Sequence, residues 1–127
     1  MIAVIRIHGM TNMDRRLEDT LSRLRLRRKL VCVLIDEKDH IRMGMLNSVK
    51  EYVAFGKIDD ALVKELVEKR GELKAENKGK KKSIETVKPF FRLHPPIGGF
   101  RKSTKQSVPK GILGKHEDIS KLLLRML

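Results

Sequence analysis

Apolar residues run along this chain in short blocks whose period changes from two to about four and back. Ile2 to Ile7 is a mostly β-branched run with Arg6 inside it, which reads as a strand. His8-Gly9-Met10 closes it as a turn. Thr11 or Asn12 is placed to cap a helix, with Asp14 in its first turn. Met13, Leu17, Leu21 and Leu24 repeat at helical spacing and predict a helix over about Met13 to Leu24. Leu30 to Ile35 is a nearly continuous apolar strand, and Asp36 to Asp39 a charged turn. Ile41 to about Lys50 is predicted helical, with Leu46, Val49 and Val53 at helical spacing. Tyr52 to Ile58 is predicted as a third strand, where Gly56 suggests a bulge. Asp59 or Asp60 caps a third helix that runs through Arg70, with Gly71 placed to end it. Leu62, Val63, Leu66 and Val67 form its buried face, and Lys64–Glu68 and Glu65–Lys69 are i,i+4 pairs on a solvated one.

The second half is less periodic. Glu72 to Ser83 lacks an apolar repeat and carries Lys78, Lys80, Lys81 and Lys82, so it is predicted as a flexible basic loop. Ile84 to Leu93 returns to an extended, partly apolar segment. The stretch from Lys88 to Gln106 then passes through a Pro95-Pro96 corner and a Gly98-Gly99 turn into a loop of cations and hydroxyls. Pro109 and Gly111 interrupt the chain beyond Gln106. Ile119, Leu122, Leu123 and Met126 mark an amphipathic helix over about His116 to Leu127. Twelve residues are marginal as an isolated helix, so this stripe is expected to bury on the domain's own core and to anchor one end of the Pro95–Gln106 loop. The expected organisation is residues 1–71 as a core with its third helix, 72–83 as the basic loop, and 84–127 as an extension packed on the same single domain.

Composition changes the picture mainly through charge. The chain has 127 residues, a length for one domain, and 40% are hydrophobic, enough for a core. Lys and Arg number 29 against 16 Asp and Glu, a net charge of +13 that calls for a polyanionic partner. No apolar run is long enough for a membrane span, and Arg6 and His8 interrupt what would be a signal-peptide core. The expectation is a cytoplasmic protein with no membrane partner. Cys32 is the single cysteine and reads as a small buried hydrophobe.

Catalytic and metal motifs are missing. His8, His40, His94 and His116 have no partner at ligand spacing, and no phosphate loop, dinucleotide fingerprint or nucleophile elbow is present. No cofactor, metal or small-molecule substrate is expected, nor an obligate homo-oligomer. The strong signals are clusters of cations: Arg23, Arg25, Arg27, Arg28 and Lys29; Lys80, Lys81 and Lys82; and Gly98, Gly99 and Phe100 with Arg101, Lys102 and Lys105. Cations suit a helix C-terminus, but five in seven positions exceed what that end requires. Few aromatics and many phosphate-seeking groups together favour RNA. A DNA-binding regulatory module and a ferredoxin-like phosphohydrolase are the alternatives. The first lacks a second helix at a short turn, and the second would have to cradle phosphate in His8-Gly9-Met10-Thr11, which holds one glycine and no arginine.

Four stretches carry a family resemblance: Arg6 to Met10, Leu24 to Arg28, Gly44 to Gly56, and Phe91 to Phe100, with Glu117 to Ile119 after the last. On these the chain resembles the universal large-subunit ribosomal protein thirty family in its archaeal form, whose eukaryotic relative is large-subunit protein seven. Relatives often place Arg directly before the glycine of the second helix, where this chain has Met43, with Arg42 one place earlier. They also tend to carry a longer insert where only Glu72 to Ser83 stands here. The resemblance implies an α+β fold with a β-α-β-α-β core, ferredoxin-like, its sheet ordered 3-1-2, and a C-terminal extension ending in a helix. It implies a structural constituent of the large ribosomal subunit that binds ribosomal RNA beside neighbouring ribosomal proteins and catalyses nothing. Arg6, His8 and His94, inside the matched stretches, join the candidate RNA-binding residues.

Phe100 separates stacking from packing. If it stacks on a base, Phe100→Ala should weaken RNA binding by about 1–3 kcal/mol with the salt dependence unchanged. If it is a core residue, the same change should instead lower thermal stability by a few kcal/mol. Melting and binding curves of one variant decide.

Overall fold

The computed structural model describes residues 1–7, 14–79, 81, 87–99, 103–107, 111–116 and 119–127, with backbone alone for 77, 103–107 and 112. It is an α+β fold whose six-stranded sheet has the order β4-β2-β1-β3-β6-β5. The strands are β1 (Ile2–Arg6), β2 (Val31–Ile35), β3 (Val53–Lys57), β4 (Phe91–Arg92), β5 (Ser103–Ser107) and β6 (Gly111–Lys115). The helices are α1 (Arg15–Arg23), α2 (His40–Val49), α3 (Asp60–Arg70) and α4 (Ser120–Met126). The expected 3-1-2 order therefore forms the middle of the sheet. β1 runs antiparallel to both neighbours, with Val4 opposite Val33 on one side and Phe55 on the other.

β1 is central, and all five of its residues are buried. Alternation sends its side chains to opposite faces. Ile2 and Val4 join Leu21, Leu24, Leu26, Leu46 and Val49 in a layer under α1 and α2. Ala3, Ile5 and Ile7 join Leu62, Val63, Leu66, Leu123 and Met126 in a layer under α3 and α4. A strand covered on both faces must be apolar nearly throughout, which is why Ile2 to Ile7 shows no polar alternation.

An aspartate starts each of the first three helices. Asp14 accepts from Arg16 N (3.1 Å), Asp39 from Arg42 N (3.2 Å) and Asp59 from Leu62 N (3.0 Å). Such caps contribute about 1 kcal/mol each. The cap of α1 is thus Asp14 and not Thr11 or Asn12, which lie with Met13 outside the described residues.

Gly56 does not make a bulge. The β1–β3 register is continuous from Ile2–Lys57 to Arg6–Val53. A Cβ at Gly56 would meet His116 O at 2.9 Å and Ile119 Cβ at 3.1 Å. The glycine is there so that the chain entering α4 can lie directly on β3. His116 N donates to Phe55 O (2.7 Å) and so prolongs strand pairing, which is why the helix begins at Ser120 and not at His116. Ile119, Leu123 and Met126 are fully buried, each worth about 1.5–3 kcal/mol. The apolar stripe of α4 thus lies on the chain's own core.

Two strands escape the sequence reading. β6 pairs in parallel with β3 (Ala54–Gly114, Phe55–Lys115), and β5 in parallel with β6. Their Ser, Gly and Lys content offers no apolar alternation, so pairing comes from the backbone. The segment after α3 is also more ordered at its ends than a flexible loop. Leu73 bridges Val87, Lys88 N donates to Glu72 O (2.8 Å), and Ala75–Asn77 forms a 3-10 turn.

Cys32 lies on β2 in the α3/α4 layer and is fully buried. Burial pushes its thiol from 9.0 up to about 12, against a smaller opposite pull from a backbone hydrogen bond at Val4. The folded state therefore holds this proton more tightly than the unfolded state. The associated stability is fully present below about pH 9 and is lost as pH rises towards about 12. Cys32→Ala should flatten the alkaline end of a stability–pH curve, and the native thiol should resist alkylation at pH 8 until the chain is denatured.

Candidate nucleic-acid interface

The basic cluster after α1 is built from the inside out. Leu26 N donates to Leu21 O (2.8 Å) and Arg25 N to Ser22 O (3.1 Å), the paired bonds of a Schellman motif. Leu21 and Leu26 are fully buried in the same layer and supply its apolar contact. The position that such a motif usually gives to glycine holds Arg25, at φ 69°. A left-handed conformation costs a residue with a Cβ about 1–2 kcal/mol. Leu24 and Leu26 point in, while Arg25, Arg27, Arg28 and Lys29 are exposed.

Arg6 holds this connection from below. It is 1% exposed, and its Nη1 donates to Leu26 O (2.8 Å). Its own carbonyl accepts from Leu30 N (2.7 Å). Burial lowers the guanidinium pKa, and the Glu18 carboxylate opposes that shift. The expectation that Arg6 contacts RNA is therefore corrected. Its position parity with Ile2 and Val4 sends the side chain into the α1/α2 layer, where it positions the basic loop.

β4 brings a second group of residues to the same place. Val31 lies opposite Arg92, and Leu93 N donates to Leu30 O (3.1 Å). Phe91 goes into the α3/α4 layer, so Phe90 falls against the α1/α2 layer. Arg92 Cζ stands 5.9 Å from the centre of the Phe90 ring, within cation–π range. Arg25, Arg27, Arg28, Val31, Phe90 and Arg92 together line a pocket of about 240 Å³. No acid is among the lining residues. Within the described residues, none of Arg23, Arg25, Arg27, Arg28 and Lys29 is in an ion pair; the pairs are Arg42–Asp39, Lys57–Glu37, Lys69–Glu65 and Lys88–Glu72. Phe90 and Arg92 were not among the expected site residues. The signal was the Phe90-Phe91 pair before an edge arginine, which puts one ring on each face of a strand.

The Pro-Pro/Gly-Gly segment forms a separate surface. Gly99 N donates to Pro96 O (2.9 Å), and Gly98 at φ 80° takes the turn position that demands a positive angle. The end of α4 clamps this turn. Ile97 N donates to Arg125 O (3.1 Å), and the Arg125 guanidinium donates back to Ile97 O (2.9 Å) and to Gly99 O. The His94 ring reaches Pro95 O (2.7 Å) and Leu127 O (2.6 Å), so it is turned to the chain's own end. Gly98 and Gly99 are exposed, as is Lys81. His8, Lys80, Lys82, Phe100, Arg101 and Lys102 lie outside the described residues, and for Lys105 only the backbone in β5 is described. Among the described residues no cluster of His, Cys, Asp and Glu could hold a metal, and no helix is long and apolar enough to cross a membrane.

Arg6→Met should keep the bulk of this anchor while leaving the Leu26 carbonyl with one donor fewer. Stability should fall by about 1–3 kcal/mol in chemical denaturation. Amide exchange should rise first at Leu26 and Leu30.

Comparison with known proteins agrees with this architecture. A family model described as ribosomal protein L30p/L7e matches residues 2–53. The chain is 38% identical over 151 aligned positions to the large ribosomal subunit protein uL30 of Methanothrix thermoacetophila, with 99% of each chain covered. It is 35% identical to that of Archaeoglobus fulgidus over 153 positions, again with 99% of each covered. Against that of Cenarchaeum symbiosum it is 34% identical, with 98% of this chain and 96% of the relative covered. These alignments are longer than the 127-residue chain, so the relatives carry residues that it lacks.

Proposed function

The chain belongs to the large ribosomal subunit protein uL30 family, which is structural and non-enzymatic, and within that role we propose that it binds ribosomal RNA chiefly through the arginine cluster between α1 and β2. The observation that carries this reading is the set of five exposed cations, Arg23 to Lys29, free of ion pairs among the described residues and fixed over a buried anchor. Phosphates neutralise such a set and release their counterions. Because the loop is already held by Arg6 and by the Schellman bonds, little ordering entropy opposes binding.

The Gly98-Gly99 turn with Phe100, Arg101, Lys102 and Lys105, and separately the lysines Lys80, Lys81 and Lys82, are further candidate contacts in this proposal. His8 and His94 are the remaining candidate contacts. α4 sets the height of the Gly-Gly turn through Arg125. Neighbouring ribosomal proteins are the other partners, and no cofactor takes part. The protein thus works in the cytoplasm, inside the ribosome.

The test is binding of the purified chain to an archaeal large-subunit ribosomal RNA transcript, with duplex DNA as competitor. With about six phosphate contacts, affinity should fall roughly a thousandfold between 50 and 200 mM salt. The transcript should outcompete DNA at equal salt, and the protein should stay with the large subunit on sedimentation in high salt. A flat salt dependence would remove the cations from the mechanism. Preference for DNA would favour the regulatory-module reading.

A further inference from the structure

The pocket behind the arginines is more than a set of phosphate contacts needs. A protein that only tracks a duplex backbone presents cations on an open surface. Here Arg25, Arg27, Arg28 and Arg92 line a recess together with the buried Val31 and the half-buried Phe90. At about 240 Å³ it lies below the roughly 300–1,000 Å³ of clefts for drug-sized ligands. That size suits one ring system with a charged group at the rim. The apolar side chains in the lining exclude a bare phosphate as the whole ligand. The four guanidiniums exclude a neutral apolar one.

Arg25 adds an independent observation. It occupies the left-handed position in place of glycine, and among the described residues its side chain is exposed and outside any ion pair. Strain that the fold does not need points to a use outside it. Arg25 is one of the four arginines that line the pocket.

We propose that this pocket receives a single nucleotide of ribosomal RNA turned out of its helical stack, its base lying on the Phe90–Arg92 pair and its phosphates held by Arg25, Arg27 and Arg28. Bases splayed out of loops and bulges are what proteins read on RNA, and they stack equally on aromatic rings and on guanidinium planes. In the Phe90–Arg92 pair the guanidinium lies over the ring, with Arg92 Cζ 5.9 Å from the ring centre, so the stacking platform is a guanidinium plane backed by an aromatic. The pairing Val31–Arg92 and the bond from Leu93 N to Leu30 O fix this platform against the arginine loop. The proposal rests on the ribosomal-RNA reading and specifies how one site of it works.

The experiment uses the full chain against two probes, an archaeal large-subunit ribosomal RNA transcript and a fully paired RNA duplex, over a range of salt. Phe90→Leu keeps an apolar side chain and removes the ring. It should weaken transcript binding about 5- to 150-fold, with the salt slope and duplex binding unchanged. Arg92→Lys keeps the charge and removes the plane, so it should also lose selectively on the transcript, and it remains informative if Phe90→Leu folds poorly. Arg25→Gly should raise the melting temperature by a few degrees while reducing the salt slope by about one phosphate. If Phe90→Leu and Arg92→Lys bind the transcript like the unaltered chain, or lose equally on the duplex, the pocket holds only backbone phosphates and the proposal is overturned while the ribosomal-RNA reading stands. If the unaltered chain fails to bind the transcript, that reading falls and takes this proposal with it.

Discussion

The interface depends on one buried guanidinium. Arg6 sits on the central strand, on the same face as Ile2 and Val4, and reaches Leu26 O at 2.8 Å. Its backbone carbonyl takes Leu30 N at 2.7 Å. One residue therefore holds both halves of the segment that carries Arg25 to Lys29. A cation is an awkward choice for an interior, because removing it from water is expensive unless it is paired and bonded. Here Glu18 on α1 supplies the counter-field and the Leu26 carbonyl accepts a bond. An apolar residue would fill the space but could not hold the carbonyl. The same burial that takes Arg6 away from solvent makes it effective as the support of the four cations from Arg25 to Lys29.

The second organising piece is the run from Phe90 to Gly99, which serves both layers in turn. Phe90 falls on the α1/α2 layer beside the arginine loop, and Phe91 enters the α3/α4 layer. The chain then turns at Pro95-Pro96 and is caught by the last turn of α4 through Arg125 and His94. Both candidate surfaces thus hang on one short stretch. Loss of α4 would free the Gly-Gly turn and would also strip Ile119, Leu123 and Met126 from the core.

The legible parts of the sequence were those where burial dictates composition. Ile2 to Ile7 and Leu30 to Ile35 read as strands because both of their faces are covered. α3 read clearly because Asp59, the Leu62–Val67 face and Gly71 agree with one another. β5 and β6 could not be read this way, because a pairing made by backbone groups leaves no apolar period in Ser-Thr-Lys-Gln-Ser or Gly-Ile-Leu-Gly-Lys. Gly56 was ambiguous for a related reason. A glycine in a strand marks either a bulge or a close approach, and only the position of His116 and Ile119 decides. Of the candidate site, charge density pointed to Arg23 to Lys29, while Arg6 entered through the family resemblance, which does not tell that strand alternation buries it. Phe90 and Arg92 became visible only through the β2–β4 pairing.

Arg25 shows why charge and conformation have to be weighed together in such a loop. A chain carrying +13 repels itself, and five cations in seven positions concentrate that repulsion. Left to local preference, the segment would spread its side chains into solvent, and a glycine would end α1 more comfortably. Instead the Schellman bonds, Leu21 and Leu26 in the core, and the Arg6 bridge force the turn and accept an arginine in a left-handed backbone. The fold thereby stores a modest electrostatic and conformational penalty in a rigid place. A polyanion that docks there relieves the electrostatic part at once and meets side chains already in position. On the proposed reading, the core that Arg6 and the two leucines secure is what holds these side chains ready for phosphate.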